Sequence, residues 1–291
     1  MTNATETLSG KTHRDENFPV ASWLMSARNR APILAFYRFV RAADDVADHP
    51  TLSPDRKMAL LDGLEEALCG RGAPDPLAEP LRIALAERGL RPRHALDLLD
   101  AFRLDVRKSR YESWAELIEY CRLSAMPVGR FVLDVHGEDE ALWPASDSLC
   151  AALQVINHLQ DCAEDYRRLN RVYLPKDVLA AHCASVKMLD APSASPQLRA
   201  AIGELGARAS ELTRRGAALA PRIADLRLAL EIAAIENLAR RLARDLESRD
   251  PLSQRVRLGK AGFAWVGAVG VLRGLGSRLR RFVGASSEAR A

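Results

Sequence analysis

The chain has 291 residues, of which 48% are hydrophobic and only 5% aromatic, enough apolar mass for a substantial core. Alanine, leucine and arginine dominate, which favours helices over sheet. The net charge of +4, without a Cys/His finger or a basic stripe interleaved with aromatics, points away from nucleic acid.

Residues 1–15 are polar and Thr-rich and read as disordered. They hold no apolar signal-peptide region, so a cytoplasmic chain is expected. From Pro19 to His49 the pattern is helical, with a break expected near Asn29-Arg30-Ala31-Pro32. Ser53-Pro54 opens a helix to about Cys69. Gly70 to Pro76 reads as a loop, followed by helices at 77–88 and 92–107. Trp114 begins another that reaches Gly137. Pro144 to Asp147 marks a boundary before a helix over 148–168. Asn170 to Pro175 is a tight exit, and a short helix runs on to Ala181. After a Pro/Ser/Ala loop at 190–197, two long helices at 198–219 and 222–247 flank Pro221. Neither a strand nor a fixed-period repeat is legible. The spacing predicts an all-α architecture with long helices around a central space.

The tail differs in composition. Pro251 to Val283 carries seven basic residues, Arg255, Arg257, Lys260, Arg273, Arg278, Arg280 and Arg281, and no acidic one. They flank the apolar run Ala261 to Leu272, which contains Phe263 and Trp265 and is too short to span a bilayer as a helix. Two readings stand: the segment lies in a membrane surface with its cations toward anionic headgroups, or it packs on the body as a last helix with a basic solvated edge.

Cys69, Cys121, Cys150, Cys162 and Cys183 are widely spaced with no CxxC, so buried free thiols in a reducing cytoplasm are expected. The histidines show no HExxH and no ExxH, against a zincin or a ferritin-like di-iron bundle.

Two acidic runs carry the chemistry. Asp44-Asp45-Val46-Ala47-Asp48 places Asp44 and Asp48 one turn apart on a helix face. Asn157, Asp161 and Asp165 repeat that spacing over two turns. Arg41 precedes the first run and Arg171 follows the second. A lone acidic pair is usually a solvated helix face. Here Phe39, Val40 and Val46 crowd the first run, and Val155, Ile156 and Leu159 the second. Carboxylates in apolar helices are costly to desolvate unless a cation compensates them. Two such walls beside arginines suit divalent metals holding a diphosphate. His158, inside the second run, is rotated away from Asp161 and reads as structural.

Tyr37-Arg38-Phe39-Val40-Arg41-Ala42-Ala43-Asp44-Asp45-Val46-Ala47-Asp48 resembles the first aspartate-rich motif of the squalene/phytoene synthase family. Leu153 to Asp165, followed by Arg171-Val172-Tyr173-Leu174-Pro175, resembles the second, and Tyr111 to Gly129 the segment between them. Within the family, Glu16 to Ser22 and Asp250 to Lys260 look like the hydroxysqualene synthases of the bacterial hopanoid pathway. The resemblance implies a single isoprenoid-synthase-type helical domain over 16–250, with 251–291 as a tail. It implies Asp44, Asp48, Asn157, Asp161 and Asp165 as Mg2+ positions, and Arg41, Arg171 and Lys176 as diphosphate contacts. Tyr37, Tyr120 and Tyr173 would line the site and, with Arg41 and Arg171, serve catalysis.

The implied substrate is an isoprenoid diphosphate, presqualene diphosphate, with water as the nucleophile and no NADPH. Neighbouring hopanoid-pathway enzymes would be partners, and the chain would sit peripherally on the cytoplasmic membrane. Members that condense two prenyl diphosphates often carry Val-Ala-Gly soon after the position of Tyr120. This chain reads Arg122-Leu123-Ser124-Ala125-Met126-Pro127-Val128-Gly129, which suits the second step. The alternatives are a presqualene diphosphate, squalene or phytoene synthase, and a non-catalytic membrane-associated helical subunit.

Overall fold

The computed structural model describes residues 26–288, with side chains described through residue 276. The N-terminal stretches read above, residues 1–15 and Glu16 to Ser22, lie outside the described residues, as do the side chains of Arg278, Arg280 and Arg281.

Twelve α-helices follow one another among the described residues: α1 (Ala27–Asp48), α2 (Pro54–Leu68), α3 (Glu79–Arg88), α4 (Arg93–Arg107), α5 (Trp114–Ser124), α6 (Met126–His136), α7 (Trp143–Gln160), α8 (Cys162–Leu169), α9 (Lys176–Ala181), α10 (Pro196–Gly216), α11 (Leu226–Ser248) and α12 (Lys260–Glu288). Their starts follow ordinary capping chemistry. Ser26, Ser53, Ser113, Ser195 and Asp225 each accept a backbone N–H from the first turn they precede. Gly89, Gly137 and Asn170 end α3, α6 and α8 in the left-handed conformation. The only β pairing among the described residues is an isolated bridge between Arg110 and Val172.

Several boundaries differ from expectation. The break expected near Pro32 is absent: α1 runs unbroken through it. Proline removes the N–H that would bond the Arg28 carbonyl. Arg88, at the end of α3, donates to that carbonyl instead, and also to Asn29 Oδ1 at 3.3 Å and the Val135 carbonyl at 3.1 Å. The single helix expected over 114–137 is two, because Ala125 leaves helical geometry (φ −133°) ahead of Pro127. The helix expected over 148–168 starts earlier, at Trp143, and breaks at Asp161 (φ −105°, ψ 8°).

Two hydrophobic clusters divide the interior. The first joins α1 to α4 and takes Phe131 and Val135 from α6, with Phe36 stacked on Phe131 at 4.0 Å. The second is built from α5 and α7 through α11. α7 packs on α5, α6, α10 and α11, and α11 packs in turn on α12. The two acidic runs lie on different units: the first closes α1, and the second spans the α7–α8 break.

Of the two readings of the tail, packing on the body is what the fold shows: α12 lies along α11. Gly270 and Gly274 face α11 so closely that a Cβ at Gly270 would stand 2.6 Å from the Ala233 carbonyl, and one at Gly274 2.9 Å from Ala233 Cβ. Asn237 of α11 ties the seam, donating to the Val266 carbonyl at 2.6 Å and accepting from Arg273 at 2.7 Å. The other side of α12 is apolar and open: Trp265 is 72% and Leu272 68% exposed. No described helix is long and apolar enough to cross a membrane. Val256 is buried in the second cluster, so body packing runs past residue 250.

Candidate active site

The last turns of α1 carry Arg41, Asp44, Asp45 and Asp48. Arg41 holds Asp44 at 2.9 Å and the buried Asp45 at 3.2 Å. Across the central space, α8 ends at Asn170, whose positive φ turns the chain back. Arg110 secures that turn by donating to Asn170 Oδ1 at 2.7 Å. The returning strand of chain pairs with the segment before α5: Val172 N–H donates to the Ser109 carbonyl at 2.9 Å, and Lys176 N–H to the Tyr111 carbonyl at 3.0 Å. This pairing aims Arg171 at the first acidic run. Its guanidinium is buried and donates to Asp48 at 2.6 Å and to the Ala47 carbonyl at 3.4 Å. Lys57 of α2 donates to the same carbonyl at 2.8 Å.

The same pairing delivers Tyr173 to a ring cluster with Tyr111, Tyr120 and His158. Tyr173 stacks on His158 at 3.6 Å and on Tyr111 at 5.5 Å. At the centre of the cluster is a residue that the sequence did not single out. Asp105 of α4, 8% exposed, accepts from the Tyr120 hydroxyl at 2.7 Å and the Tyr173 hydroxyl at 3.1 Å. Its only signal in the chain is an aspartate one residue before a valine on a strongly amphipathic helix, and nothing local marks it as buried. His158, read above as structural, lies within this cluster. Burial, with the charge of Arg171, pushes its imidazole down to about 3, so it is neutral.

Of the remaining expected residues, Asn157 sits half-buried one turn before the α7–α8 break, and Asp161 occupies the break itself. Asp161 accepts from Arg257 at 2.7 Å. Tyr37 lines an apolar cavity instead of the tyrosine cluster. Lys176 departs from expectation: as the first residue of α9, half-exposed, it pairs with Glu112 at 2.6 Å on the outside and is not brought to the carboxylates. Its backbone is fixed by the Tyr111 carbonyl, which turns the side chain toward Glu112.

The carboxyls act on one another across the space. Burial, then the neighbouring charge of Asp48, pushes Asp44 up to about 8. Burial, then Asp161 and Asp48, pushes Asp165 up to about 7. Burial raises Asp105 to about 6, held from rising further by Arg171 and the Tyr120 hydroxyl. The field of Asp48 thus reaches both walls. Among the described residues no three acidic, histidine or cysteine side chains stand close enough to form a closed metal cage. A magnesium ion does not need one: it takes one or two carboxylates and completes its shell with water and phosphate oxygens. Oxygen donors only, with mutual repulsion that a divalent cation would relieve, fit that ion.

Next to the acidic site lies an apolar cavity of about 240 Å³. Val40, one turn before Asp44, forms part of its wall, so the cavity adjoins the first acidic run along α1. Phe36, Tyr37, Leu153 and Ile232 are among its other walls. Gly129 lets α6 approach α7 there; a Cβ would meet Ser146 Oγ at 2.4 Å and Cys150 Sγ at 2.6 Å. All five cysteines are free, but only Cys121 and Cys162 are buried as expected; Cys183, on the turn after α9, is exposed.

The family model described as squalene/phytoene synthase matches residues 11–261. The chain is 59% identical to the hydroxysqualene synthase of Rhodopseudomonas palustris, over 89% of this chain and 88% of that one. It is 48% identical to the hydroxysqualene synthase of Zymomonas mobilis, over 93% of each. Its backbone superposes on the crystal structure of the squalene synthase HpnC from Alicyclobacillus acidocaldarius with a TM-score of 0.71 at 30% identity, covering 84% of this chain and 91% of that one. With fold, motifs and nearly the whole length in agreement, the chain belongs to the squalene/phytoene synthase family.

Proposed function

We propose that the chain works as a hydroxysqualene synthase, converting presqualene diphosphate and water into hydroxysqualene and diphosphate in hopanoid synthesis. The observation that carries this reading is the high identity, over nearly full length, to enzymes of that name. Magnesium, bound by Asp44, Asp48, Asn157, Asp161 and Asp165, would supply Lewis-acid neutralisation of the departing diphosphate. Arg41 and Arg171 donate to the diphosphate oxygens as its carbon–oxygen bond breaks. Lys176 is left out of this set because it faces Glu112.

The apolar cavity receives the isoprenoid chains and keeps bulk water from the cation. The ring of Tyr37 in its wall favours positive charge. Asp105 fixes the hydroxyls of Tyr120 and Tyr173, so those rings hold one orientation. Capture by water consumes no hydride, so NADPH plays no part in this reading. The exposed apolar face of α12, with Arg255, Lys260 and Arg273 around it, suits peripheral contact with an anionic membrane, where neighbouring pathway enzymes would exchange substrate and product.

The test is incubation of the purified full chain with Mg2+ and presqualene diphosphate in isotopically labelled water, without NADPH. Hydroxysqualene carrying the label supports the reading. Efficient formation of presqualene diphosphate or phytoene from simple prenyl diphosphates, with no labelled alcohol, would move the chain to a head-to-head prenyl transferase.

A further inference from the structure

His158 takes no part in the metal or diphosphate contacts described above. It follows Asn157 directly on α7 and is 9% exposed. Its ring stacks on Tyr173 at 3.6 Å, and the Tyr120 ring stands 6.0 Å away. Its Nε2 finds no hydrogen-bond partner among the described residues. An open nitrogen in a packed wall is costly, so its partner is to be sought outside the chain.

The polar groups around it are acceptors. The Tyr120 and Tyr173 hydroxyls give their hydrogens to Asp105, at 2.7 Å and 3.1 Å, so their oxygens can only accept from a third partner. A neutral imidazole with its proton on Nδ1 likewise accepts at Nε2. Such a set repels an anion, and an isoprenoid chain offers it no polar hydrogen. Among the described residues no acidic, histidine or cysteine side chains join it in a metal cage. A water molecule offers two hydrogens. The cluster also stands beside the first acidic run: Arg171, two residues before Tyr173, reaches Asp48 at 2.6 Å, and Asp105 acts on the charge of Asp44.

We propose that His158 is a further catalytic residue whose Nε2, with the Tyr120 and Tyr173 oxygens, holds the one water that captures the carbocation. This rests on the functional reading above. A water in a dry site needs two or more polar partners. Giving both hydrogens to acceptors leaves its lone pairs free for carbon and polarises them in that direction. In the step, the bond from carbon to the diphosphate oxygen breaks and its electron pair stays with the diphosphate. A lone pair of the water forms the new carbon–oxygen bond. The proton that this oxygen sheds passes to the departing diphosphate, and the imidazole stays neutral throughout.

The test is turnover of presqualene diphosphate with Mg2+ by the full-length wild type, His158→Phe and His158→Gln, reading hydroxysqualene formed against diphosphate released. The wild type should give the two in equal amounts. His158→Phe keeps a flat ring against Tyr173 without the nitrogen. Its yield of alcohol per diphosphate should fall about tenfold, the loss of one hydrogen bond to the nucleophile, with hydrocarbons formed by proton loss in its place. His158→Gln returns an acceptor without the ring and should recover most of that yield. Should His158→Phe fail to fold, His158→Leu takes its place. A residue that only packs slows both products together, so equal amounts from His158→Phe overturn the proposal at any rate of turnover. A yield from His158→Gln no better than that from His158→Phe overturns it too. A wild type that releases diphosphate without alcohol overturns the functional reading as well; a wild type that makes the alcohol while His158→Phe matches its yield overturns this inference alone.

Discussion

Arg171 and Asp48 stand 123 residues apart in the chain and meet at 2.6 Å. The contact joins the segment that leaves the second acidic run to the end of the helix that carries the first. It is buried on the arginine side, where Asp105, Tyr173 and Asp48 hold the charge against the cost of burial. The two walls are therefore aligned by an ion pair whose members are themselves expected to hold diphosphate and metal.

Removing carboxylate charge without changing shape isolates the metal function. Asp44→Asn and Asp161→Asn should each lower turnover by at least about a hundredfold, as loss of a group stabilising transition-state charge does. Helix content by circular dichroism should stay unchanged. Near-normal turnover in both variants would return these residues to the status of surface charge.

The raised carboxyls set a pH dependence whose sign is fixed. Asp44 moves from 3.8 to about 8 and Asp165 to about 7 in the folded chain. Between their unfolded and folded values these groups bind more protons folded than unfolded, so metal-free stability falls as pH rises through that window. Mg2+ competes with those protons and should bind more tightly at the upper end. Melting in EDTA should therefore occur lower at about pH 8.5 than at about pH 6, and added Mg2+ should raise Tm more at the higher pH. A Mg2+ effect on Tm that is flat or larger at low pH would contradict the assignment.

Asp105 makes no expected metal contact, yet two buried hydroxyls depend on it. Asp105→Asn keeps the shape and one acceptor; it should fold and lose activity by about tenfold or more as the tyrosine rings lose their fixed setting. Asp105→Ala leaves Tyr120 and Tyr173 without their acceptor and should cost about 3 kcal/mol of stability in urea unfolding. Equal activity of the wild type and Asp105→Asn would show that the tyrosine network is structural only.

The outer face of α12 can be changed without disturbing its glycine seam. Trp265→Glu with Leu272→Glu should leave Tm within about 1 °C, since surface changes of this kind cost little stability. The same pair should reduce binding to anionic liposomes by at least about tenfold, from the lost apolar contact. Binding of the parent chain should weaken in high salt as headgroup attraction is screened. Cutting after Asp250 is a poorer test, because it also removes buried Val256 and Arg257. Negligible liposome binding by the parent chain would leave α12 with a packing role alone.

Much of the site was legible because helix geometry converts sequence spacing into spatial proximity. Asp44 and Asp48 on α1, and Asp161 and Asp165 of the second run, needed only the four-residue interval. Asp105 was not legible: its neighbours in sequence include two arginines, and its burial comes from α5 and the 171–176 segment folding over it. Lys176 was misplaced for the complementary reason, since a matching position in a motif does not say which way the first residue of a short helix points. Arg257 was read as one more charge in a basic tail, because its pairing spans 96 residues. The break at Asp161 carries neither proline nor glycine, so no local rule signals it, whereas Pro127 did signal the α5–α6 break that the expectation passed over.

The proline in α1 ties the local unfolding of two helices together. Its missing N–H leaves the Arg28 carbonyl to Arg88, a residue 60 positions away at the end of α3. The opening turn of α1 is therefore not closed by its own ladder, and it loses an acceptor's partner whenever the end of α3 lifts. Amide exchange in the first turns of α1 should follow the opening of α3, while the amides near Asp44 and Asp48, two or more turns further on, exchange on the slower clock of the core.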